Sequence, residues 1–268
     1  MTEMKGVVVT LNPGGVGRPG FVAARDVSEV VRFAFHAMGQ TDLSVPPPIA
    51  EAAISYDMGT GAKSADERRT LYENWILSKA FTELARGIRE TLEEAYLFTR
   101  IVGLVRKRHP TVDEFNTEQD QARKWAQQAS FPNLMAAVNE ALTGPLIFSS
   151  EFESLQKVRN CLEHRAGVVG KRDIDDSGSL VLSLPRLRLF YWRGETQIEL
   201  ELGARVDPGD DHEHAEVRLE RVTRVRKYEL GEVVRFSAVD FHEIAQSCYM
   251  FITDLVRKLP RPDFPANQ

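Results

Sequence analysis

Arg159, Asn160, Glu163 and His164 place a guanidinium, an amide, a carboxylate and an imidazole within one short stretch of chain. A guanidinium offers a fork of donors matched to phosphate oxygens and keeps its charge at neutral pH. An imidazole takes or gives a proton near neutrality. An amide beside it can orient the ring or bind a leaving oxygen. On a helix, Leu155, Val158 and Leu162 fall within an arc of roughly 60° and form a buried stripe. Gln156, Arg159, Asn160, Glu163 and His164 occupy the adjoining surface over roughly 140°. Asn160 and His164 are four apart and share a face, with Arg159 at the edge of the stripe. This set suits cleavage of an RNA phosphodiester by the neighbouring 2′-hydroxyl. No metal or other cofactor is needed, because the nucleophile belongs to the substrate and arginine stabilises the developing charge. The bland alternative is the solvated face of an amphipathic helix.

The helix that carries these residues is expected to open at Ser149 or Ser150, with Glu151 and Glu153 in its first turn, and to end between Gly167 and Gly170. Around it the pattern predicts a helical bundle over residues 66–170. Leu77, Phe81, Leu84, Ile88, Thr91, Ala95, Phe98, Val102 and Val105 alternate by four and three along one long helix, from about Asp66 to Arg108. Gly87 and Gly103 on that helix would let a neighbour come close. A shorter helix follows from near Thr117 to Ala129, and Pro132 separates it from a piece ending at Leu142.

Residues 171–237 switch to a period of two and predict an inserted antiparallel β-meander. Its strands are read at 180–182, 187–192, 198–202, 216–228 and 232–236. Residues 238–259 return to a helical period through Phe241, Ile244, Cys248, Phe251 and Val256, completing the bundle, and residues 260–268 form a loose tail. In the N-terminal segment, 1–65, Val7 to Thr10 reads as a short strand. Asn12 to Gly20 reads as an exposed Gly/Pro loop, lacking the Lys-Ser/Thr pair of a phosphate-binding loop. A helix is expected from Asp26 to about Met38, then an extended Pro46-Pro47-Pro48 connector. The fold class is therefore mainly α, a bundle with a β insertion before the C-terminal helix.

Composition narrows the function classes. The chain has 268 residues, 43% of them hydrophobic and 27% charged, with a net charge of −5. That excludes a disordered chain and a protein that coats nucleic acid through bulk charge, but not a local basic cleft. Cys161 and Cys248 are too few for a disulfide scaffold and fit reduced thiols packed as small hydrophobes. No secretory signal or transmembrane run is read, so the expected location is the cytoplasm, without membrane partners.

The run from Val158 to Gly167 resembles the signature of HEPN-type ribonucleases: an arginine, a polar residue often asparagine, then a histidine near the end of a helix. The spacing of Arg159 and His164 lies within the family's range, and a glycine soon follows the histidine. The resemblance covers some ten residues closely. It extends only through the helical pattern to 66–170 and 238–259. It implies a homodimer that joins two motifs in one cleft, and a metal-independent endoribonuclease of toxin or phage-defence type with an antitoxin or regulatory partner. It also implies that Arg159 binds phosphate, Asn160 positions, and His164 acts as acid or base, with Glu163 accessory. Some members pair with a nucleotidyltransferase that modifies a tyrosine just after the histidine; Arg165-Ala166-Gly167 stands here instead.

Other residues offer weaker candidates. Arg165, Arg224, Arg226 and Lys227 are expected to help bind RNA backbone, diluted by Glu216, Glu220 and Glu229. Asp210-Asp211-His212-Glu213-His214 contains metal-ligating residue types but reads as a solvated loop, so no metal is assigned. Three readings stand: a ribonuclease, a non-catalytic HEPN-like module binding RNA, nucleotide or protein, and a metal hydrolase built on His212 and His214.

Overall fold

The computed structural model describes residues 10–45, 63–107, 110–200, 204–206 and 216–261. Among them are seven helices and one three-stranded antiparallel sheet, the sheet lying in sequence before the last helix. The helices are α1 (Pro13–Val16), α2 (Arg18–Gln40), α3 (Ala65–Lys107), α4 (Val112–Gln128), α5 (Phe131–Ala141), α6 (Ser149–Arg165) and α7 (Ala238–Lys258). The strands are β1 (Ser179–Arg193), β2 (Thr196–Leu200) and β3 (Arg218–Glu229).

α3 is the spine. Its alternating seam from Leu77 to Val102 is buried throughout, and only Val105 in the last turn is less so. α2, α4, α5, α6 and α7 all pack against it. One apolar cluster runs from Val16, Ala24 and Val31 through α3 and α6 to α7. At its centre Phe81 lies 4.2 Å from Phe236 and 5.5 Å from Phe241, ring to ring, while Phe152 meets Phe251 at 4.4 Å. Tilted and edge-on contacts of this kind are the favoured aromatic geometries.

The N-terminal reading needs correction. Residues expected in an exposed loop are helical, and α2 starts at Arg18 rather than Asp26. Pro13 and Pro19 each sit in the first turn of a helix, where a missing N–H costs nothing. Gly20 is there for its small size: a Cβ would lie 2.5 Å from Ile252 and 2.7 Å from the Thr91 hydroxyl. Its N–H donates to that hydroxyl at 2.9 Å. The expected close approach at Gly87 is present, since a Cβ there would lie 2.4 Å from that of Ala23; Gly103 has open space. Of the expected Val7–Thr10 strand, residues 7–9 lie outside the described residues and Thr10 is not in a strand; the Pro46–Pro48 connector lies outside them too.

α4 begins earlier than expected because Thr111 and Glu114 form a reciprocal capping box. Its C-terminal end is closed by Arg89, whose guanidinium donates to the carbonyls of Ala126, Gln127 and Ala129.

The sheet order is β2-β1-β3, so it is not a meander: β3 pairs with the far edge of β1 instead of following β2. β1 is one continuous strand through Pro185. Among the described residues only β3 flanks it there, since the described pairing with β2 ends at Leu189, so a residue without an N–H is tolerated. The expected strand at Glu232–Phe236 reduces to a single bridge between Val168 and Val233. The sheet joins α6 where the Ser183 N–H donates to the Ser154 hydroxyl and Thr223 donates to Glu151. It meets α7 through ion pairs. Arg186 reaches Glu243 at 3.0 Å and Arg224 reaches it at 2.7 Å; Arg224 and Arg226 share Asp240.

Candidate functional site

α6 opens and closes in left-handed conformations, at Phe148 (φ 57°) and Ala166 (φ 51°), followed by Gly167 (φ 82°). The Gly167 N–H returns to the Cys161 carbonyl at 3.1 Å, ending the helix directly after the motif. The chain leaving it is zipped to the approach of α7. Val169 N–H donates to Glu232, Gly231 N–H to Val169, and Val234 N–H to Gly167, each at 2.8–2.9 Å. This ladder fixes the end of α6 against the segment that leads into α7. A further anchor lies near the middle of the helix, where Gln156 donates to the Ala85 carbonyl of α3 at 3.0 Å.

On this fixed helix Leu155, Val158, Cys161 and Leu162 are buried, Arg159 is half-buried, and Asn160 and His164 are exposed. The division of faces expected from helical spacing is therefore present. Arg159 pairs with Glu163 at 2.6 Å and donates to the Asn160 amide oxygen at 3.4 Å. Both contacts steer the guanidinium along the surface toward the Asn160 side. Among the described residues His164 makes no hydrogen bond or ion pair, so its ring is open to a ligand.

The other candidate cations are engaged. Arg165 pairs with Asp173, whose second oxygen accepts from the Gly170 N–H at 2.8 Å, so it braces the turn after α6. Arg224 and Arg226 are tied to Asp240, and Lys227 pairs with Glu229 at 2.9 Å. The structure thus brings Arg159, Asn160, Glu163 and His164 together and places Arg224, Arg226 and Lys227 on the sheet in separate pairings. Cys161 and Cys248 are buried free thiols. Burial pushes the Cys161 thiol up, and nearby Asp173 adds to the effect; burial raises the Cys248 thiol as well, which disfavours the thiolate at both. Among the described residues no group of three or more His, Cys, Asp and Glu could hold a metal ion. The Asp210–His214 run lies outside them. Nor is any described helix long and apolar enough to cross a membrane.

Sequence reasoning missed one neighbour of the motif. Leu162 and Ala166 form a wall of a groove of about 330 Å³ whose other walls come from α3 and from residues 233–236. Trp75, Lys79 and Arg235 are exposed along it. These residues are far apart in sequence, and no local spacing could have joined them.

Compared with known proteins, the chain matches no family model, no curated protein and no solved structure.

Proposed function

We propose that this protein is a metal-independent endoribonuclease of HEPN type that works as a homodimer, with the motifs of two chains facing one RNA strand. The observation that carries the reading is the surface at the end of α6: an exposed, unpartnered His164 beside Asn160, and an Arg159 oriented by Glu163. In the reaction the 2′-hydroxyl of the RNA loses its proton to a neutral imidazole and attacks the adjacent phosphorus. The bond to the 5′-oxygen breaks, and that oxygen takes a proton from an imidazolium. The products are a 2′,3′-cyclic phosphate and a 5′-hydroxyl. Each chain supplies one His164, so the base and the acid come from different copies. Arg159 neutralises the charge that grows on the non-bridging oxygens, and Asn160 holds the ribose or the leaving oxygen. An RNase of this kind acting on cellular RNA requires a restraint, which fits a toxin or phage-defence role with an antitoxin or regulatory partner.

The test is cleavage of mixed RNA by purified protein in EDTA, beside His164→Ala and Arg159→Ala. The expected result is cyclic-phosphate ends from the wild type and none from either variant. Intact RNA after incubation with folded, dimeric wild type would reject a constitutive nuclease. The non-catalytic binding module would then lead, because the Arg159–Glu163 pair already satisfies much of the arginine's charge.

A further inference from the structure

We infer that the groove beside α6 is a subsite for an unpaired nucleobase of the RNA, with Trp75 as its stacking platform and Lys79 and Arg235 as its phosphate contacts. The inference rests on the ribonuclease reading and adds a means of holding the strand next to the reacting phosphate.

Four observations support it. The groove has a volume of about 330 Å³, within the range of clefts that take small ligands (about 300–1,000 Å³). Its floor is apolar, with Leu162 and Phe236 buried, whereas Trp75 on its rim is 63% exposed. An indole left in water beside an apolar slot offers a flat face to a base, and stacking on it needs no particular sequence. The charge is also of one sign. Lys79 and Arg235 are the groove's charged residues, no carboxylate lines it, and neither cation has an ion pair among the described residues.

That last point separates this groove from a larger cleft elsewhere on the bundle. The larger cleft between α2 and α3, about 640 Å³, sets four carboxylates (Asp26, Glu83, Glu90 and Glu94) against two arginines (Arg18 and Arg86), with Arg86 already paired to Glu83 and Glu90, so its acidic excess disfavours a phosphodiester. In a molecule of net charge −5, an acid-free cleft bordered by two unpaired cations selects an anionic ligand. The fourth observation is position. Leu162 and Ala166 bracket Glu163 and His164 in the last turn of α6, so the groove begins where the motif's helix ends. Arg159, three residues before Leu162 and seven before Ala166, lies on the side of α6 that walls the groove, so a strand held at Arg159 runs beside it.

The experiment uses full-length protein and a short 2′-O-methyl oligoribonucleotide, which cannot be cleaved, with binding read by fluorescence anisotropy over a range of salt. Trp75→Ala should weaken binding by about 10-fold or more, and Trp75→Phe should recover most of it. The double variant Lys79→Ala/Arg235→Ala should flatten the salt dependence by about two counterions. On a cleavable RNA, Trp75→Ala should raise KM and leave kcat unchanged, since a base subsite away from the reacting atoms contributes uniform binding. If binding and KM are unaltered in Trp75→Ala while His164→Ala still abolishes cleavage, the subsite is rejected and the ribonuclease stands. If the oligonucleotide binds through Trp75 but no RNA is cut, the groove stands and the nuclease fails. Conversion of a dimer to monomers by Trp75→Ala, with RNA affinity per chain retained, would make the groove a protein interface and overturn the proposal.

Discussion

Two regions of this molecule use arginine, and they use it in opposite ways. At the junction of sheet and α7, Arg186, Arg224 and Arg226 face Asp240 and Glu243, whose side chains are less than one-tenth exposed. Each of these acids receives two guanidiniums, and Asp240 also caps α7 by accepting from the Ser237 N–H at 2.9 Å. At the end of α6, Arg159 has one carboxylate partner on its own helix and stays partly open to water. In the first arrangement the guanidiniums, only about a quarter exposed, are already spent on buried acids. The second leaves donors available. What distinguishes a candidate site from a clamp here is the supply of buried acid, not the number of arginines.

The comparison predicts a clean separation of activity from stability. His164→Ala should lower cleavage by about 10²- to 10⁴-fold, the usual loss on removing a general acid or base. Its unfolding free energy should change by less than about 0.5 kcal/mol, since an exposed side chain without partners holds nothing in place. Parallel cleavage assays and urea melts measure both. A variant that loses activity and stability together would mean that the end of α6 is another structural joint.

Asp240→Ala should do the reverse. It leaves two arginines facing an emptied site and removes the α7 cap, a loss of about 3 kcal/mol. The melting temperature should fall by about 6–10 °C. Activity measured well below that transition should persist. A melting temperature within a degree or so of the wild type would show that the clamp is ornamental and that apolar packing alone seats the sheet.

Acid should weaken the clamp. Burial alone would raise the Asp240 carboxyl, but the Ser237 N–H and the Arg226 guanidinium outweigh it and hold the group below its ordinary value. Asp254 behaves alike: burial is overcome by Lys258 and the Ile147 N–H. A depressed folded-state value means that the stabilisation is complete above the unfolded carboxylate range, near about pH 4, and is lost as pH falls through the folded value. Melting temperatures should therefore be flat above about pH 5 and drop below about pH 4. Asp240→Asn should shrink that drop. A drop of unchanged size in Asp240→Asn would assign it to other carboxylates.

Much of this contrast was legible in the sequence, because it depends on local periodicity. The seam of α3, the face of α6 and the apolar stripe of α7 follow from residue spacing, and the structure keeps them. Three features were not legible, for separate physical reasons. The glycines and prolines of residues 13–20 resemble a loop by composition, yet Gly20 is small because Thr91 and Ile252 press on it, a tertiary fact. Arg224 and Arg226 looked like an open basic stripe because their partner, Asp240, lies on another element. The strand order β2-β1-β3 depends on which edge of β1 the chain returns to, which alternation alone does not determine. The groove at Trp75 fails for the same reason as the clamp: its walls come from three distant segments.

Glu163 gives the smallest effect and the finest test of the contrast. It holds Arg159 at 2.6 Å on the same helix, an (i, i+4) pair of a type that contributes about 0.3–0.5 kcal/mol. A phosphate arriving at Arg159 must share the guanidinium with this carboxylate or displace it. Glu163→Gln keeps the shape and a hydrogen-bonding oxygen but removes the competing charge. Stability should fall by no more than about 0.5 kcal/mol, while KM for RNA should fall modestly and kcat stay within a small factor of the wild type. That outcome would make Glu163 a positioning residue that keeps Arg159 pointed at the Asn160 side until substrate replaces it. A fall in kcat as deep as that of His164→Ala, with KM unchanged, would instead place the carboxylate in the proton transfer itself. The line between an arginine clamped by acid and one merely oriented by it would then have to be redrawn around Glu163.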